Sequence, residues 1–180
     1  IIVFNIMISD EIKLKIESLF AKKKYEEVIN ITEKFIKKEE RPAGLASLIG
    51  SCYSLKKNKL KKDLILSLDF FEEAYLKGKI SVNGLSGVTN FINISTVAAK
   101  KSYEFLPHIY KAEKFYNETS KYFDKNPDFL VAAYNLFWFQ LDNIKLKEIN
   151  SSEDIKQYSE VSIFLSRYED VESLYKKLSK

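Results

Sequence analysis

From Arg41 to Ala74 the chain repeats one pattern twice, and that pattern leaves little choice of fold. Pro42 and Gly44 first interrupt whatever precedes them. Leu45, Leu48, Ile49, Cys52, Tyr53 and Leu55 then recur mostly at three- and four-residue steps, the spacing of one helical face. A polar stretch, Lys56 to Asp63, reads as a loop, and Leu64, Leu66, Leu68, Phe70, Phe71, Ala74 and Tyr75 supply a second apolar face. Gly50 falls mid-helix, where glycine costs about 1 kcal/mol against alanine, so its presence points to the close approach of another helix. Gly78 is placed like a helix C-cap.

The rest of the chain reads the same way. With five Gly and three Pro in 180 residues, long periodic segments run with little punctuation, which favours an all-α chain. Ser9, Asp10 and Glu11 cap a first helix, expected over 9–21, and Lys22 to Lys24 make its turn. A second helix is expected over 25–38, a fifth over 81–100 and a sixth over 105–123, with Pro107 in its first turn. Asp124 to Asp128 read as the end of the sixth, and a seventh is expected over 129–141, continuing to 147. Ser151 to Asp154 form a capping-box signal for a helix over 153–165, and a last helix is expected over 168–178. The fifth segment, rich in Gly, Asn, Ser and Thr, is where geometry should deviate most.

Residues 1–8, IIVFNIMI, are too short an apolar run to cross a bilayer, which takes about 20 residues, and carry no signal-peptide features. Met7 is the expected natural start, which would make 1–6 leftover upstream sequence unless the sequence is a piece of a longer product; 1–8 are set apart from the domain as a non-native or fragment leader. The remaining residues, 9–180, are expected to form one domain.

Two stretches resemble the tetratricopeptide (TPR) repeat, whose period is about 34 residues. Leu48-Ile49-Gly50 with Tyr53, and Phe70 to Ala74, match the cores of the family's first and second helices. Asn126-Pro127-Asp128 leading into Ala132-Ala133-Tyr134-Asn135-Leu136 matches its inter-repeat proline and the opening of a first helix. Phe20 to Val28 resembles the family's helix–turn–helix junction, with Lys23 where the turn glycine stands and Val28 where alanine stands. The loop after Leu55 is about five residues longer than the family standard, a length also found in Sel1-like relatives. The resemblance implies a right-handed α-α superhelix of antiparallel helix pairs, about eight or nine helices, with approximate repeats 9–42, 43–81, 82–129 and 130–180.

The family's first helices line a concave groove that takes a peptide or helix. By position this implies Ser47, Ser51 and Ser54, then Asn90 and Asn93, then Tyr134, Asn135 and Trp138 as groove residues. Asn can hold a peptide backbone through donor and acceptor, and Tyr and Trp are enriched at binding hot spots. Trp138 and its aromatic neighbours fit core packing equally well. Lys13 and Glu17 occupy the positions of the family's carboxylate clamp, but an acid in place of the amide would repel a terminal carboxylate, so chaperone-tail binding is not expected.

Chemistry is scarce. His108 is the sole histidine and Cys52 the sole cysteine, too few for a zinc site or a disulfide framework. No phosphate-loop, HExxH or GxSxG pattern occurs. Only Arg41 and Arg167 are Arg among 29 basic residues, and Lys spread among 25 acids reads as a solvated surface rather than a nucleic-acid site. The expectation is therefore a cytoplasmic protein-interaction scaffold and not an enzyme. It should have no cofactor or metal and no nucleic-acid or membrane partner. The alternative is the repeat region of a larger glycosyl-, sulfo- or methyltransferase.

Overall fold

The computed structural model describes residues 9–148 and 169–179. Among them there is no strand; there are eight α-helices and two short 3-10 turns. The expected leader, and the helix expected over 153–165, lie outside the described residues. Two compact units meet at Gly87 and Val88, inside one continuous helix.

The first unit begins with α1 (Asp10–Ala21), whose Ser9 side chain accepts from the Ile12 amide. Lys23 then turns the chain with a φ of 58°, the left-handed region that costs a residue with a Cβ about 1–2 kcal/mol. The turn leads into α2 (Tyr25–Phe35), three residues shorter than expected, because Ile36 turns extended and buries its side chain, 5 % exposed. A 3-10 turn over Lys38–Glu40 leads to α3 (Ala43–Leu55). Ile16, Val28, Ile29, Ile36, Ile49, Cys52 and Tyr53 form the core that joins α1, α2 and α3.

The next helix, α4 (Lys61–Gly78), starts three residues before its first apolar residue, Leu64. Leu60 stands at its N-cap with no oxygen to offer the helix end. Asp63 supplies the missing bond in reverse, accepting from the Leu60 amide at 2.7 Å and from Lys56 Nζ at 3.0 Å. That amide, and then the lysine, hold the buried Asp63 carboxyl below its ordinary range. Gly50 does admit a close neighbour: a Cβ there would sit 2.9 Å from the Phe71 ring, and Ser67 Oγ donates to the Gly50 carbonyl at 2.8 Å. Arg41, 8 % exposed, clasps the far part of α4. Its guanidinium donates to Glu73 at 3.1 Å and lies 4.8 Å over the Phe70 ring. Lys77 bonds the other Glu73 oxygen and the Arg41 carbonyl, both at 2.8 Å.

Gly78 is the last residue of α4 rather than a left-handed cap; that conformation falls on Lys79, at φ 48°. Gly78 is needed for closeness, since a Cβ on it would stand 2.5 Å from the Gly84 amide nitrogen. The following helix, α5 (Val82–Lys101), presses Gly84 and Gly87 onto the α4 backbone. A Cβ on Gly84 would meet the Lys79 carbonyl oxygen at 1.9 Å, and one on Gly87 the Tyr75 amide nitrogen at 2.6 Å.

In the second unit α5 continues into a 3-10 turn, Tyr103–Phe105, and then α6 (Leu106–Phe123), with Pro107 in its first turn. The seventh helix, α7 (Pro127–Glu148), begins two residues earlier than expected. Asn126, expected to close α6, instead opens α7: its side chain accepts from the Phe129 amide at 2.9 Å, and Pro127 has no N–H that needs a partner there. Aromatic rings join the helices of this unit. Phe91 meets Phe115 at 5.1 Å, Tyr116 stacks on Phe129 at 5.6 Å, and Phe137 stands edge-on to Tyr116 at 4.9 Å. The last helix, α8 (169–178), buries Val171 and Leu174. Burial, then the Asp170 carboxylate, raises the Tyr116 phenol pKa.

Two outcomes follow from these contacts. Gly84→Ala forces a Cβ into backbone and is expected to lower stability by about 3 kcal/mol or more, at the top of the overpacking range. Gly44→Ala, which meets only the Asn83 side chain at 3.2 Å, is expected to stay within about 1 kcal/mol of the parent. Urea unfolding of the two variants checks this. For Asp63 the folded pKa is depressed, so its stabilisation is full above the unfolded value of about 3.9 and is lost as pH falls through the folded value. The gap in urea midpoint between parent and Asp63→Asn should therefore be widest near neutral pH and narrow below about pH 4.

Candidate functional site

On α3, α5 and α7 about half of the described positions are buried, and each helix carries an accessible line. On α3 it holds Leu48, Ser51 and Leu55; on α5 Asn90, Asn93 and Val97; on α7 Val131, Asn135 and Trp138. The spacing within each set is three or four residues, so each line is one face of its helix. Residues on these lines are half-buried or exposed, which is what a binding surface on a packed helix requires.

The eight residues expected in a groove differ in what their side chains do. Ser47 is buried, with its Oγ 2.8 Å from Ser86 Oγ, so its hydroxyl joins α3 to α5. Ser51 and Ser54 donate to carbonyls of their own helix, Ser47 at 3.0 Å and Ser51 at 2.9 Å. The serines thus serve the fold first. Asn90 and Asn93 are half-buried on the accessible line of α5.

Tyr134, Asn135 and Trp138 form the more developed surface. The Tyr134 and Trp138 rings are stacked, 6.2 Å between centroids and 11° from parallel. Trp138 is 40 % exposed and Val131, one turn the other side of Tyr134, is 45 % exposed. Beneath them Ala132, Ala133, Leu136 and Phe137 are buried, so the aromatic pair rests on a packed base. Gln140 donates to Glu113 at 2.8 Å and ties α7 to α6. Asp142, one turn past Trp138, lines a recess of about 360 Å³ with Lys100, Ser102, Tyr103 and Phe139. The surface therefore runs from apolar at Val131, through stacked aromatics and an amide, to a recess of mixed polar and apolar lining that bears both charge signs. A surface so built can hold an apolar side chain on the rings and a backbone amide at Asn135.

The side chains with nucleophilic or metal-binding chemistry are placed otherwise. Cys52 lies fully buried in the first unit, and burial pushes its thiol up to about 12, so at neutral pH it is not a nucleophilic thiolate. His108 belongs to the second unit and is half-buried beside the Phe105 and Phe91 rings, at 5.7 and 6.4 Å. Among the described residues no group of three or more His, Cys, Asp or Glu is placed to hold a metal ion. No described helix is long and apolar enough to cross a membrane.

Reasoning from the sequence missed two groups of residues. The Arg41–Glu73–Lys77 clasp had a signal, since a rare arginine beside Pro42 is an unusual choice in so lysine-rich a chain. The meeting of Lys56 with both Glu26, at 3.6 Å, and Asp63 had none, because it depends on how α2 lies against α3 and α4.

Trp138 is the only tryptophan, so its fluorescence reports this surface alone. Tyr134→Ala uncovers one face of the indole and is expected to shift emission to the red and raise acrylamide quenching. Because the site is at the surface, stability should change by only about 0.5 kcal/mol. No protein-family model, curated protein or solved structure matches the chain.

Proposed function

We propose that this chain is a TPR-like helical-repeat scaffold that binds a protein partner, as a helix or an extended peptide, on accessible helix faces, chiefly that of α7. The observation that carries it is the stacked Tyr134–Trp138 pair, held on a buried base with Asn135 beside it and left open to solvent. An exposed indole loses the free energy of burying large apolar area, and a partner side chain covering it recovers that energy. The family resemblance of residues 48–53, 70–74 and 126–136 supports the same assignment. On this view the right-handed superhelical arrangement of helix pairs is part of the proposal.

Recognition would follow helix-in-groove or extended-peptide modes, with an apolar anchor on the Tyr134–Trp138 rings and a backbone amide on Asn135. The test is a peptide-display selection on the purified chain, read back by Trp138 fluorescence. Selected peptides are expected to share an apolar anchor, to shift Trp138 emission to the blue on binding, and to lose about ten-fold or more in affinity for Asn135→Ala with helicity unchanged. Selected peptides that leave Trp138 emission unmoved, or that bind Asn135→Ala and Tyr134→Ala as well as the parent, would overturn the assignment to this surface.

A further inference from the structure

Two lysine runs far apart in sequence come together at one end of the first unit. The α1–α2 turn holds Lys22, Lys23 and Lys24, and the α3–α4 connection with the first turn of α4 holds Lys56, Lys57, Lys59, Lys61 and Lys62. Lys56 fixes their proximity: its Nζ lies 3.0 Å from Asp63 at the start of α4 and 3.6 Å from Glu26 at the start of α2. Over residues 22–27 and 56–63 there are eight lysines against three acids, Glu26, Glu27 and Asp63. That excess is larger than the net charge of +4 on the whole chain, so the chain's basic character is concentrated here.

The acids do not cancel it. Asp63 is buried and committed to Lys56 and the Leu60 amide, and Glu27 pairs with Lys24 at 2.8 Å. Every residue from Lys57 to Lys62 is exposed. Two leucines are exposed among the charges, Leu55 at 49 % and Leu60 at 58 %. Lys62 also stands in the first turn of α4, where the helix dipole disfavours cations.

We propose that this end of the first unit docks on an anionic lipid bilayer, with the lysines over the headgroups and Leu60, flanked by Leu55, entering the interface. Three features select a lipid surface over other polyanions. The basic residues are all lysine, which suits a diffuse negative potential; gripping individual phosphates favours the arginine fork. Over residues 22–27 and 56–63 the one aromatic ring, Tyr25, is half-buried against Phe20, so the lysine patch presents no open ring on which bases could stack. Exposed leucines beside a polybasic cluster gain nothing from a hydrophilic polyanion but gain burial at an acyl boundary. The sequence-based expectation of no membrane partner rested on the lack of a spanning segment, and a peripheral contact needs none.

The test is vesicle co-sedimentation at about 0.15 M ionic strength, with phosphatidylcholine alone and with phosphatidylcholine and phosphatidylserine at roughly three to one. The parent is expected to bind the mixed vesicles and not the neutral ones. Lys22→Gln/Lys23→Gln/Lys57→Gln/Lys62→Gln should lose about six-hundred-fold, at about five-fold per lysine. Leu60→Ser gives α4 a favourable N-cap, so the fold is kept or strengthened, while vesicle affinity should fall roughly ten-fold. Circular dichroism and a urea midpoint no lower than the parent's confirm on each variant that the fold is kept. Equal binding to neutral and mixed vesicles, no binding by the parent, or retention of binding by the quadruple variant overturns the proposal. So does unchanged binding by Leu60→Ser together with tighter binding of the parent to polyglutamate or oligothymidylate, which would mark a general polyanion surface.

Discussion

The absence of a Cβ at three positions sets how closely α4 and α5 approach, and the first unit is arranged around that approach. At Gly78, Gly84 and Gly87 an added methyl group would land within 1.9 to 2.6 Å of the facing backbone. The backbones touch, so no side chain can adjust to relieve a substitution. Gly50 does the same between α3 and α4, where the methyl group would meet the Phe71 ring and the Ser67 carbonyl oxygen. Helices this close exclude water from their facing polar groups, which then need protein partners. The Ser67–Gly50 and Ser47–Ser86 bonds supply them.

The low helix propensity of the α5 segment and its tight packing therefore have one cause. Glycine and small polar residues weaken an isolated helix by about 1 kcal/mol for each glycine, but they permit the close contact that stabilises it in place. Propensity marks this segment as the one to deviate, yet it forms a regular helix of 20 residues. Tertiary contact overrode local preference, and a sequence read one segment at a time contains no term for that contact.

What could be read from the sequence was what depends on neighbours along the chain. The Ser9 cap, the ends of α1, α3 and α6, and the close approach at Gly50 follow from local spacing and capping chemistry. The misplaced boundaries each involve a residue that serves in an unexpected role. Asp63 caps α4 from inside the helix, and Asn126 opens α7 where a stop was expected. Of the candidate site, the Tyr134–Trp138 pair was legible because four-residue spacing already places both rings on one face. Ser47 was not, because its burial against Ser86 depends on how α5 crosses α3.

Charge shows the same limit more sharply. Counted along the sequence, 29 basic residues spread among 25 acids suggest an evenly solvated surface. Antiparallel packing of α2 on α3 changes that, because turns separated by about one helical hairpin fall at the same end, and lysines 30 to 40 positions apart come to share one end. Composition counts charges without their positions, whereas association responds to local potential. A net charge of +4 would steer a partner weakly if spread over 180 residues. Held at one end beside two exposed leucines, a larger excess produces a strong local field next to an apolar contact. The aromatic line on α7 works by a different force, burial of rings with little charge involved. The two surfaces should therefore respond oppositely to salt: screening weakens the lysine contact, while the aromatic contact is largely indifferent to it.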